Sequence, residues 1–132
     1  SLWIQPKRQT LVSHSPHSGA QQNWFVMEPD LAIYKGSECQ TILDTKWKLI
    51  NQDKANSSEK YGISQADLYQ MYAYGNKYLK SKGQLILIYP AHQKLSRSLP
   101  QFNYSNELTL FVLPFDLEKE QLLDQQAVDV MI

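Results

Sequence analysis

The chain has 132 residues, enough to bury one hydrophobic core and too few for two comfortable ones, so residues 1–132 are read as a single domain. Its 13 Lys and Arg balance 13 Asp and Glu, which excludes a global electrostatic attraction for nucleic acid and leaves only local basic surface for that purpose. Cys39 is the sole cysteine, which excludes an internal disulfide and a cysteine-ligated zinc or iron–sulfur centre. No apolar run approaches the roughly 20 residues of a membrane span and no signal peptide opens the chain, so a cytoplasmic protein without membrane contact is expected. The first residue is Ser1 rather than methionine, as expected of a piece of a longer protein.

In chain order, Leu2-Trp3-Ile4 and Thr10-Leu11-Val12 form short strand pieces around a basic Pro6-Lys7-Arg8, and Ser13 to Gln22 reads as a loop. Phe25-Val26-Met27 opens a strand that leads into Pro29-Asp30, where the proline predicts an edge, a bulge or a bend. Leu31 to Tyr34, the turn residues Lys35-Gly36-Ser37-Glu38 and Thr41 to Leu43 make a hairpin of antiparallel strands. Trp47 to Ile50 precedes a polar stretch, Asn51 to Lys60, expected to be mobile and to touch substrate. Ser64 caps a predicted helix over Gln65 to Lys80, closed by Gly83, and Gln84 to Tyr89 is a buried strand ended by Pro90. Leu108 to Leu113 reads as a further strand and Asp116 to Met131 as a terminal helix. That order predicts an α/β sandwich with a mixed sheet.

The hairpin carries the chemistry. Asp30 and Asp44 both lie at the end far from its turn, so the strand rise of roughly 3.3 Å per residue brings their carboxylates together. Two acids so placed repel each other unless a cation lies between them. Magnesium suits such a site, since it binds through one or two carboxylates and keeps room for waters and substrate phosphate oxygens; the Thr45 carbonyl completes the expected ligands. Alternation puts Lys46 on the face of Asp44, where it can orient the attacking water or neutralise phosphate charge, and points Thr45 away. Lys46, Lys48, Lys54 and Lys60, with Lys77, Lys80 and Lys82, are expected to flank a phosphate track. His14, His17 and His92 are scattered, and no glycine-rich phosphate loop is present, so any nucleotide hydrolysis falls to another chain. In the helix, Gln70 and Tyr74 share one side while Leu68 and Leu79 face a core, with Tyr69, Tyr72 and Tyr78 expected to pack.

Pro29-Asp30, Asp44-x-Lys46 and Gln70-x-x-x-Tyr74 together resemble the PD-(D/E)XK nuclease superfamily in its RecB-like branch. More narrowly, MEPDLAI, ILDTKW, DLYQMYAYG and LILIYP, in this order, are similar to the McrC family, nuclease subunits of McrBC 5-methylcytosine-dependent restriction systems. The resemblance runs from about Trp24 to Tyr89 and more weakly through LFVLPFDL. It implies a restriction-endonuclease-like core with a mixed central sheet flanked by helices. It also implies magnesium or manganese on Asp30 and Asp44, Lys46 assisting the attacking water, and Gln70 and Tyr74 lining the site, with Glu28 a secondary acid. DNA is the implied substrate, and the implied partner is a McrB-like GTPase that supplies GTP hydrolysis and methylcytosine recognition. The family's helix before the first sheet strand and its partner-engaging N-terminal region lie outside this chain. Two other readings stand beside this one: another RecB-like nuclease of exonuclease, transposition or CRISPR-adaptation type, and a catalytically silent domain of the same fold used for DNA binding or assembly.

Overall fold

The computed structural model describes residues 3–122, as β1 (Trp3–Ile4), β2 (Gln9–His14), β3 (Gln22–Met27), β4 (Leu31–Lys35), β5 (Glu38–Thr45), α1 (Gln65–Tyr78), β6 (Gly83–Pro90), β7 (Phe102–Asn103), β8 (Leu108–Asp116) and β9 (Gln121–Leu122). The mixed sheet runs β1-β4-β5-β6-β8-β7, with β9 added against β8. Strands β5, β6 and β8 are parallel, while β4 and β7 run antiparallel to their neighbours. The Leu-Ile-rich centre of β6 is buried on both faces, which is why its apolar run does not alternate.

Helix α1 crosses between the parallel strands β5 and β6, so it begins beside the carboxyl ends of those strands. Ser64 caps it, accepting from the Asp67 amide at 3.0 Å. One sheet face packs on this helix, joining Ile42, Leu85, Leu87 and Val112 to Met71, Tyr74, Tyr78 and Leu79. Gly75 permits the close approach, since a Cβ there would lie 2.8 Å from the Leu108 side chain. The opposite face gathers Leu43, Ile86, Ile88 and Leu113 with Trp3, Leu31 and Phe115.

Several expectations are corrected. α1 is the only α-helix among the described residues, so they show a helix on one sheet face rather than helices flanking both. The Ser13–Gln22 loop is shorter than expected, because β2 continues to His14 and β3 starts at Gln22 to form a separate two-stranded ribbon. Pro29-Asp30 is not on a strand: it is the connection where the chain leaves the ribbon and enters the main sheet. The stretch Asn51–Lys60 is tied down, with Asn51 bonded to Tyr61, Gln52 to Lys94 and Ser96, and Asn56 capping Ser58 and Glu59. α1 stops at Tyr78, closed by Lys80 and Ser81 in left-handed conformations, with the Ser81 amide returning to the Gly75 carbonyl at 2.9 Å. Where the terminal helix was expected, β8 reaches Asp116, a turn follows and β9 pairs back; residues 123–131 of that expectation lie outside the described residues.

Gly83 has φ +138 and would bring a Cβ to 2.7 Å from the Gln40 carbonyl oxygen, at the residue where β5 bulges against β4. Replacing it therefore strains the backbone and drives two strands apart. Gly83→Ala is expected to lower stability by about 2 kcal/mol or more, read from the urea midpoint at unchanged slope.

Candidate active site

The segment before β4, the carboxyl end of β5 and the first turns of α1 bring the six expected residues into one place. Ile42 and Asp44 face α1 in register with Leu85 and Leu87 of β6, so Asp44 is the last member of an otherwise apolar row and is only 6% exposed. Asp30, just before β4, lies across from it: the Asp30 amide donates to Asp44 Oδ1 at 3.2 Å. Asp30 Oδ2 accepts from the Thr45 amide at 2.8 Å and from Thr45 Oγ1 at 2.7 Å. The Thr45 side chain, expected to point away, thus clamps Asp30.

Lys46 Nζ lies 3.2 Å from Asp44 Oδ2 and donates to Gln70 Oε1. Its backbone amide is held by the Ile88 carbonyl at 2.8 Å, which keeps the chain beside β6 past the end of β5. Tyr74 is buried one turn beyond Gln70 and closes the site from the helix side. Burial, then the charges of Asp44 and Asp30, push its hydroxyl well above the ordinary tyrosine range, so it remains a neutral donor.

Asp44 is the electrostatic centre. Burial raises its carboxyl first, the Asp30 charge raises it further, and Lys46 only partly offsets them, leaving a pKa of about 6. Among the described residues no group of three or more His, Cys, Asp or Glu gathers for a metal cage. The donor set is two carboxylates with neighbouring carbonyl oxygens, a match for magnesium rather than for a softer ion.

Other expectations separate from this centre. Glu28 turns outward to Arg8 at 3.0 Å. Lys77, Lys80 and Lys82 lie at the far end of α1, about 20 Å from its start at 1.5 Å per residue, so they do not flank the site. Lys54 pairs with Glu59 and Lys60 with the Ser57 carbonyl. His14 packs at a tilt against Trp24 in the ribbon, whereas His92 holds the Ile50 carbonyl. Tyr78 packs as expected, but Tyr69 and Tyr72 are exposed. Two residues at the site were not singled out by sequence reasoning: Asp67, whose Oδ1 lies 3.9 Å from Lys46 Nζ, and Tyr89, whose hydroxyl donates to Asp67 Oδ2 at 3.0 Å. The usable signal for Asp67 was its place three residues before Gln70 on the same helical face.

No curated protein matches the chain. A solved half-complex from a tetradecameric assembly of Thermococcus gammatolerans McrB AAA+ hexamers with bound McrC is similar in fold, with a TM-score of 0.55 at 14% identity over 95% of this chain. The chain spans 28% of that chain's length. No helix among the described residues is long and apolar enough to cross a membrane. The profile of the McrBC 5-methylcytosine restriction system component family matches residues 3–90, and with two-thirds of its length matched the chain belongs to that family.

Proposed function

We propose that residues 1–132 are one nuclease domain of the PD-(D/E)XK type, belonging to a McrC-like protein that hydrolyses DNA phosphodiester bonds with magnesium. The observation that carries this reading is the convergence at one sheet end of Asp30, from just before β4, with Asp44 and Lys46 at the end of β5, where burial of Asp44 favours a cation beside its charge. Family membership and the McrC neighbour bound to McrB hexamers support a GTP-hydrolysing McrB-like partner.

Asp30 and Asp44, with the Thr45 carbonyl, would hold magnesium, and manganese would serve in its place. When bound, the metal supplies Lewis-acid neutralisation of the phosphate. Thr45 fixes Asp30 through two donors to one oxygen, Oδ2. Lys46 is held by Asp44 and Gln70 and presents its ammonium to the attacking water and to charge developing on the phosphate. Gln70 and Tyr74 form the helix-side wall. Trp47, 74% exposed, and Lys48 follow Lys46 directly and meet the DNA at the open end of the sheet.

The test is cleavage of methylated plasmid by the full-length protein with its McrB-like partner, GTP and magnesium. Cutting that needs all three supports the proposal. End-dependent degradation of linear DNA without GTP replaces it with another RecB-like nuclease. No cutting together with no magnesium or manganese binding by calorimetry replaces it with a silent domain of the same fold.

A further inference from the structure

Lys46 has two carboxylates beside it, on different elements. Asp44 reaches it from β5, and Asp67 from the first turn of α1. Asp67 is itself fixed twice: its amide is bound by the Ser64 cap, and its Oδ2 accepts from Tyr89. Tyr89 is 0% exposed on β6, and burial with the adjacent Asp67 charge pushes its hydroxyl upward, so it serves Asp67 as a donor only. Three residues on, Gln70 takes Lys46 from the same helical face.

The charges give a second carboxylate a role that the neutral Gln70 amide does not fill. A divalent cation on Asp30 and Asp44 consumes the anion that pairs with Lys46 and repels the ammonium, so a lysine held by Asp44 alone would be driven out of the site. Asp67 reaches Lys46 from the helix, on an element other than those that carry Asp30 and Asp44. Resting on the nuclease reading above, we infer that Asp67 is a positioning residue for phosphodiester cleavage: with Tyr89 bracing its carboxylate, it keeps the Lys46 ammonium aimed at the substrate while the metal occupies Asp44. An acidic residue in a first helical turn also favours helix stability through the helix dipole, and that role alone predicts lower stability with unchanged turnover.

The experiment uses the full-length protein with its partner and compares wild type, Asp67→Asn and Tyr89→Phe. Asparagine keeps the acceptor for Tyr89 and the shape of the side chain, so folding is retained. Turnover on methylated plasmid is expected to fall about 10–100-fold in Asp67→Asn and less in Tyr89→Phe, with KM for DNA and the magnesium half-saturation unchanged. A second arm needs no activity: acylation of lysines in the presence of magnesium, mapped by mass spectrometry, should label Lys46 severalfold faster in Asp67→Asn while other lysines react as before. Wild-type turnover and wild-type Lys46 labelling in Asp67→Asn overturn the inference. If the wild-type protein does not cut at all, the nuclease reading fails, and the labelling arm still decides whether Asp67 holds Lys46.

Discussion

Asp44→Asn is expected to abolish cleavage and at the same time make the metal-free protein harder to unfold. Loss of a charged metal ligand removes transition-state stabilisation of about 4 kcal/mol or more, at least a thousandfold in rate. The gain in stability comes from the same burial. Asp44 titrates near 6 in the folded chain against 3.8 for an ordinary aspartate. A raised acid pKa favours the fold while the group is protonated: the contribution is complete below 3.8 and is lost as pH rises through about 6. At pH 8 the wild type therefore carries a penalty of about 2–3 kcal/mol that a neutral asparagine escapes. Magnesium reverses the sign, because it needs the charged carboxylate. The metal-induced gain in stability, read as a rise in Tm, should be large at pH 8, about 2.7 kcal/mol at a hundredfold excess over Kd, and should shrink toward pH 5. Scanning calorimetry of wild type and Asp44→Asn at both pH values, with and without magnesium, measures all of this; an Asp44→Asn variant that is less stable at pH 8 without metal, or that still cuts, refutes the assignment.

Lys46→Ala should lose cleavage for the opposite reason and leave metal binding intact. The lysine lies 3.2 Å from Asp44 Oδ2 and competes there with any cation. Removing it makes the site more negative, so at pH 8 magnesium should bind as tightly as in wild type or more tightly. Cleavage should still fall about a hundred- to ten-thousandfold, the range for losing a group that orients a nucleophile or meets developing charge. Isothermal titration alongside plasmid cleavage separates the two variants: Asp44→Asn loses both properties, Lys46→Ala only one. Weakened magnesium binding in Lys46→Ala, matching its loss of cleavage, would mean that the lysine merely holds the acids in place.

The hairpin, the helix start at Ser64 and the buried strand ending at Pro90 were legible because each rests on local pattern: turn residues, a cap and an unbroken apolar run. The meeting of Asp30 with Asp44 was legible too, since a hairpin fixes which residues share an end. What local pattern does not carry is the direction in which an element runs relative to the others. The lysines after Asn76 therefore looked close to the site, although α1 carries them away from it. Both strands of the ribbon were legible as apolar runs, but not their pairing apart from the main sheet, because most of their apolar residues, including Phe25 at 68% exposure and φ +62, face outward and do not alternate as in a half-buried strand. The end of α1 was misplaced because Lys80 and Ser81 adopt the backbone shape expected of Gly83. Asp67 passed as an ordinary first-turn acid, and Tyr89 as one more member of an apolar strand. Their bond to each other joins residues 22 apart in sequence.

The hairpin turn at Lys35–Glu38 is at the end of the sheet opposite the carboxylates, with about seven residues of β5, roughly 23 Å, between Ser37 and Asp44. Cys39, the only cysteine, is buried. A thiol introduced by Ser37→Cys is thus the one exposed handle on the described surface. A fluorophore coupled there reports on assembly or DNA arrival from a fixed strand of the main sheet, without touching the groups that would do the cutting.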